Sequence, residues 1–357
     1  MSTTPATRTP AGPAARTPAV HVPAARAPLP GGALRTTLSA VLPAPVKRRV
    51  RQRLLGTRWF PVPRPRPAGT PAGPAVRHLV VDLPARPATP GAAAGPGAAT
   101  RPGPLRIDVP PYLFIPRKLD EAGLGAYEPY AIDCFLALLD RAGPGAVFDV
   151  GANVGLYGLL AAAYGDRPVH CFEPAPDTAQ AARDIAAASG LDLTVAELAL
   201  GEASGTATLY LSDSTDSSNS LNPDFRAHSK EIVVPVETID DYVARTGDVP
   251  AIIKIDTETT EPQVLAGAER VLAEHRPWLM VEVLWSLVED RLHDVMDRYG
   301  YTYYHLNGPG PRPAAERIVG DRTWQHYMFL LAPEPVDDAF WTDMTAWREA
   351  LRPHPHP

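Results

Sequence analysis

The chain has 357 residues with 34 basic against 40 acidic side chains, enough for one large folded domain or two small ones. Two cysteines exclude a disulfide framework and point to a reducing, cytoplasmic setting, and no apolar run reaches the length of a membrane span. Charge divides unevenly: 15 of the basic residues but only one acid, Asp82, fall in the first 101 positions, so the tail is strongly basic and the rest strongly acidic.

Residues 1–104 hold half of the 42 prolines and few large apolar side chains, a composition expected to stay disordered. Within them Val46–Phe60 has helical apolar spacing with six Lys/Arg, which could touch an anionic surface, although a solvated tail is the favoured reading. Pro61 to Pro67 reads as a short extended polyproline piece, and His78–Leu83 as an isolated strand. The folded domain is expected over residues 105–351, with a loose tail at 352–357. A helix is expected over Asp120–Ala142, then a strand at Ala146–Val150, a helix at Val154–Tyr164 and a strand at Val169–Phe172. Pro176 and Asp177 open a helix that Gly190 stops. Strands follow at Leu193–Leu200, Thr206–Leu211 and Glu231–Val236, with Thr238 capping a short helix. Ala251–Asp256 is a nearly continuous apolar strand interrupted by Lys254, as in a sheet covered on both faces. Helices at Pro262–Glu274, Trp285–Tyr299 and Val336–Leu351 and strands at Trp278–Leu284, Tyr301–Leu306 and Gln325–Leu331 complete the pattern. Only a Pro-Gly-rich loop separates the last two strands, so they should be antiparallel. The expected fold is α/β: about seven strands, mostly parallel, closed by an antiparallel strand.

The first strand runs into Asp149-Val150-Gly151-Ala152-Asn153-Val154-Gly155, a glycine turn that opens a helix above the strand ends, where open α/β sheets bind ligands. It lacks the Gly-x-Gly-x-x-Gly of dinucleotide sites and the Gly-Lys-Ser/Thr of phosphate loops. Asp149 suits a cationic ligand instead. About 20 residues later, Glu173-Pro174 ends the second strand, where a carboxylate can accept both hydroxyls of a ribose.

From Tyr127 to Val283 the chain resembles the FkbM family of S-adenosylmethionine-dependent methyltransferases. Besides Asp149–Gly155 and Phe172-Glu173-Pro174, the matching residues are Ala199-Leu200, Ser218–Leu221, Val236–Asp240 and Ile253-Lys254-Ile255-Asp256. The resemblance implies a Rossmann-like domain and S-adenosylmethionine as cofactor, held by Asp149, Gly151, Ala152, Asn153, Gly155, Glu173, Pro174, Ala199, Leu200 and Asp256. It also implies O-methylation of a secondary metabolite, sugar or glycan. Where the family has glycine in the loop after this strand, the chain has Thr259, which threonine tolerates poorly if the backbone there has positive φ.

Methyl transfer to an alcohol needs in-line geometry and a base for the hydroxyl proton. Glu258 and Asp256, just past the fourth parallel strand, are the candidate catalytic carboxylates; each could instead only brace the loop. Glu261 reads as the start of the next helix, His228 as a loop residue that could be a base but is more simply solvated, and His170 and Cys171 as core. No metal is expected at Asp256, Glu258 and Glu282, because no histidine joins them at ligand spacing. Val109-Pro110-Pro111-Tyr112 resembles a motif of base-methylating DNA enzymes but lacks its polar residue. A small-molecule or glycosyl acceptor is therefore expected, with no stable nucleic-acid partner. A nucleic-acid or peptide methyltransferase docking through the basic tail, and a non-catalytic cofactor-fold module, are the alternatives.

Overall fold

The computed structural model describes residues 76–88 and 102–352. The basic stretch Val46–Phe60, the polyproline piece and the tail after 352 lie outside the described residues. The strands are β1 (Arg77–Val81), β2 (Leu105–Val109), β3 (Ala146–Val150), β4 (Val169–Phe172), β5 (Thr194–Ala196), β6 (Ala199–Leu200), β7 (Gly205–Ser212), β8 (His228–Glu237), β9 (Pro250–Ile255), β10 (Trp278–Glu282), β11 (Thr302–His305) and β12 (Met328–Ala332). The helices are α1 (Phe114–Ala122), α2 (Pro129–Arg141), α3 (Leu156–Tyr164), α4 (Pro176–Ser189), α5 (Ile239–Thr246), α6 (Glu261–Ala266), α7 (Glu289–Met296) and α8 (Asp338–Leu351).

Seven strands form the central sheet in the order β11-β12-β10-β9-β3-β4-β5. β5, β4, β3, β9 and β10 run parallel, and β12 lies antiparallel between β10 and β11. This is a Rossmann-like α/β fold. Alternate strand residues feed two cores, as a period of two requires. Val147, Ile252 and Met280 pack with Phe135, Leu159 and Trp347 of α2, α3 and α8. Phe148, Ile253 and Val281 pack with Tyr242, Val264 and Leu292 of α5, α6 and α7. From β3 the chain builds outward through β4 and β5, then returns to place β9 on the other flank of β3. The crevice at the carboxyl ends of β3 and β9 is thus a topological switch point.

Ordered structure begins before Leu105, where the domain boundary was expected. β1 pairs with β2 over five residues, and Leu83 is completely buried. Tyr164 donates its hydroxyl hydrogen to the Pro84 carbonyl at 2.9 Å, and Arg86 meets Asp140 at 2.8 Å. Three other expected elements are divided. The helix expected over Asp120–Ala142 is two, broken at Gly123 (φ +76°) and Gly125. A Cβ at Gly125 would meet the Leu351 carbonyl oxygen at 2.1 Å, so the chain must pass α8 there without a side chain. The strand expected over Leu193–Leu200 splits: β5 pairs with β4, whereas β6 pairs with β8 in a separate three-stranded sheet. The helix expected over Pro262–Glu274 stops at Ala266, because Gly267 abuts the Gly201 carbonyl, and resumes as a π-turn at Val271–His275.

Candidate functional site

A cavity of about 380 Å³ opens at the switch point, over the carboxyl ends of β3, β4, β9 and β10. Gly151, Ala152 and Asn153 form one wall, with Glu173, Pro174, Ala199 and Leu200 beside them. Gly151 has φ +72°, and a Cβ there would lie 1.8 Å from the Asp256 carbonyl oxygen; only glycine lets the β3 turn pass so close to the β9 loop. Asn153 also has positive φ (+52°), a conformation asparagine tolerates.

Glu173 ends its strand pointing back at this turn. One carboxylate oxygen accepts the Asn153 N–H at 2.8 Å and the other the Ala175 N–H at 2.9 Å. Burial pushes its pKa up to about 7 against the pull of those two bonds. The Thr178 hydroxyl pulls the same way, and the carboxylate keeps lone-pair capacity for a further donor. Asn153 donates its side-chain amide to Asp216 Oδ2 at 3.2 Å, tying the turn to the loop before β8, while its own Oδ1 is buried with no partner.

Two residues expected at the cofactor do not reach the cavity. Asp149 is fully buried; its Oδ2 accepts the Gly158 N–H at 3.0 Å, and its Oδ1 lies 3.7 Å from Lys254. Its charge organises the α3 terminus and Lys254 instead of meeting a ligand directly. Gly155 (φ +78°) packs on Ala182, where a Cβ would be 3.2 Å from that methyl group. His228 is also outside the cavity, its ring 4.6 Å from Tyr210. Tyr112 of the Pro-Pro-Tyr segment is 61% exposed and does not line the cavity.

The far side of the cavity is acidic. Asp256, Glu258 and Glu282 each bring a carboxylate oxygen within 4.8 Å of the others. Burial raises the pKa of Glu258, with neighbouring Asp256 adding to it and Arg226 opposing. Burial likewise raises Glu282, reinforced by Asp256 and Glu258. Glu258 lies in the loop Asp256–Glu261, where φ is +56° at Glu258 and +88° at Thr259, so the glycine substitution does fall on a positive-φ position. Strain of this kind persists only where neighbours over-determine the backbone. Here Glu261 Oε1 accepts from Thr257 N (2.9 Å), Thr257 Oγ1 (3.1 Å) and Thr259 N (3.1 Å). Asn222 donates to Thr259 Oγ1 at 2.8 Å, and Ser220 donates to the Glu258 carbonyl at 2.6 Å. Glu261 begins α6 as expected, and it does the loop bracing considered for Glu258 and Asp256.

Three further groups shape the site without having been assigned a role from sequence. Lys254 is 3% exposed, with Nζ 3.2 Å from Asp256 Oδ2 and 5.0 Å from the Tyr157 ring centre. Burial works against its charge, but Asp256, Asp149 and Glu128 outweigh it and hold its pKa above the usual lysine value. A lysine inside an apolar strand that ends in an aspartate was the available signal. Glu128, at positive φ before α2, accepts the Tyr157 hydroxyl at 2.7 Å and lines the cavity. Trp324–Met328 supply the aromatic outer wall together with Tyr127 and Tyr130. No sequence motif marks either segment as cavity lining.

Residues 149–303 match the family model of the methyltransferase FkbM domain. The chain carries an FkbM methyltransferase domain. No curated protein matches it. Among solved structures, an FkbM methyltransferase of Methylobacillus flagellatus KT is 20% identical over 52% of this chain and 43% of its own, with TM-score 0.35. The aligned part is less than half of that protein. An S-adenosylmethionine-dependent methyltransferase of Agrobacterium tumefaciens is 12% identical over 75% and 73% of the two chains, with TM-score 0.37. A 16S rRNA methyltransferase of T. thermophilus, solved with S-adenosylmethionine and guanosine, is 14% identical over 74% and 52%, with TM-score 0.36. The FkbM domain implies S-adenosylmethionine, and the residues fit it: Glu173 has spare lone pairs at the second strand end, and the buried Asn153 Oδ1 lacks a donor.

Proposed function

We propose that the domain binds S-adenosylmethionine at Gly151–Asn153 and Glu173 and methylates a hydroxyl group held on the Asp256–Glu258–Glu282 side of the same cavity. One observation carries the reading: the ribose-type carboxylate and the carboxylates able to take a proton open into a single cavity at the switch point. When bound, S-adenosylmethionine supplies a methyl group on a sulfonium. The chain's part is to hold and orient. Glu173 accepts the two ribose hydroxyls, while Ala199, Leu200 and Pro174 give apolar contact. Asp256, fixed by Lys254, orients the reactants, and Glu258 accepts the proton as the acceptor oxygen attacks.

The acceptor in this reading is a secondary metabolite, sugar or glycan. Tyr127, Tyr130 and Trp324 offer flat apolar faces, and the carboxylates accept from hydroxyl groups. A nucleic-acid acceptor is disfavoured because the cavity presents Glu128, Glu173, Asp216, Asp256, Glu258 and Glu282 to a polyanion. Buried, unpaired Cys134 and Cys171 support a reducing, cytoplasmic setting, and no described helix is long and apolar enough to cross a membrane. The test is calorimetry with S-adenosylmethionine. Glu173→Ala should weaken binding by about 1.5–3 kcal/mol, the worth of hydrogen bonds to a charged acceptor. Unchanged affinity in a folded variant refutes the ribose assignment.

A further inference from the structure

We propose that Asp256, Glu258 and Glu282 bind one divalent, oxygen-preferring cation of the Mg²⁺, Mn²⁺ or Ca²⁺ class. Two observations carry this. The first is geometry: three carboxylate oxygens, one per residue, lie within 4.8 Å of one another. A hard cation takes oxygen ligands at roughly 2.0–2.6 Å, so its ligands stand about 3–5 Å apart. The arrangement comes from adjacent parallel strands. Glu282 is the last residue of β10, Asp256 follows the last residue of β9, and the loop beyond Asp256 brings Glu258 back over both.

The second observation is Glu282 itself. It is 7% exposed, its Oε2 is sealed from solvent, and no hydrogen bond or ion pair reaches its side chain among the described residues. Native proteins leave very few buried polar groups in this state. Lys254 does not satisfy it, being engaged with Asp256 and Asp149. Histidine is not required, since hard cations prefer oxygen, so the absence of a histidine at ligand spacing does not exclude a metal.

The consequence rests on the acceptor reading given above. A cation here would draw electron density from a bound hydroxyl, whose proton passes to the carboxylate oxygen of Glu258 that does not ligate. The binding site itself does not depend on that reading.

The experiment uses the full chain, freed of metal with EDTA and exchanged into chelator-free buffer. Mn²⁺ binding is followed by loss of the free-ion electron paramagnetic resonance signal, with Mg²⁺ and Ca²⁺ as competitors. Expected is one saturable site with Kd below about 1 mM. Glu282→Gln and Asp256→Asn should each weaken it roughly tenfold or more, because affinity follows ligand charge. Asp290→Asn, at an exposed carboxylate, should leave it unchanged. Absence of a saturable site in the wild-type chain overturns the proposal, whatever the variants do. So does binding that neither Glu282→Gln nor Asp256→Asn weakens. Calorimetry with S-adenosylmethionine in EDTA separates the two readings: donor binding that persists while Mn²⁺ binding fails overturns only the cation site.

Discussion

Thr259 is the residue at which the backbone works hardest. At φ +88° its β-branched side chain occupies a region that such residues avoid, and the bond from Asn222 helps to hold it there. Thr259→Gly removes strain of about 1–3 kcal/mol. It also loses the Asn222 bond and frees the unfolded chain, each by about 1 kcal/mol. Thr259→Val keeps the strain and loses the bond. The glycine variant should therefore melt above the valine variant in calorimetric scans; the reverse order would mean that the loop relaxes to negative φ. The carboxylates divide by partner. Asp256 is held by Lys254, whereas Glu258 is fixed mainly through its backbone. On an acceptor that turns over, Glu258→Gln should keep donor affinity and lower kcat by about 10²–10⁴, the contribution of a positioned base. A joint fall in affinity and kcat would make Glu258 a scaffold residue. The positions of Glu173, Gly151 and Asn153 on the cavity wall were legible from sequence because strand ends and a glycine turn dictate them. The placement of Asp149 was not, since a strand-end carboxylate can face up to a ligand or down into a helix terminus.

Elements set by hydrophobic period were read almost to the residue: β3 and β4 coincide with expectation, as does the stop of α4 at Gly190. Elements cut by close backbone approach were not, because Gly125 and Gly267 are shaped by partners distant in sequence. The pattern at His78–Leu83 marks β1 as a strand but carries no sign of its partner β2. Removing residues 1–102 would take away β1 and the burial of Val81 and Leu83. At about 1.5–3 kcal/mol per buried aliphatic side chain, the loss is about 3–6 kcal/mol. That corresponds to a Tm roughly 6 °C lower or more. An unchanged Tm would mean that the β1–β2 pair contributes nothing to the domain.

The outer wall gives a pH prediction. Asp321 accepts from Thr323 N and Oγ1, Gln325 N and His326 N. Burial opposes its charge, but these bonds outweigh it and hold its pKa at about 2. A depressed folded pKa contributes stability that is present above the unfolded value and lost as pH falls through the folded one. Hydrogen exchange at residues 323–326 should therefore speed up, relative to the rest of the chain, between about pH 4 and 2. Asp321→Asn should show the faster exchange already at neutral pH. Equal protection in that variant would remove Asp321 as the wall's anchor.

At the scale of the whole molecule, the matched residues 149–303 supply strands β4, β5, β9 and β10 of the central sheet, the glycine turn and the acidic loop. Both aromatic walls come from outside them, from Tyr127–Tyr130 and Trp324–Met328. The glycine turn and strand-end carboxylates were thus readable in motifs, while the aromatic walls, proposed to choose the acceptor, lie in segments no motif covers. Acceptor choice should accordingly respond to Tyr127→Ala or Trp324→Ala with little change in donor affinity. Everything rests on the cavity at the β3–β9 switch point being a donor site. Calorimetric titration of the wild-type chain with S-adenosylmethionine tests this directly, with Glu173→Ala alongside. The account predicts one site per chain, weakened roughly tenfold or more by the substitution. A wild-type chain that takes up no S-adenosylmethionine, or a folded Glu173→Ala chain that binds it equally well, would contradict it.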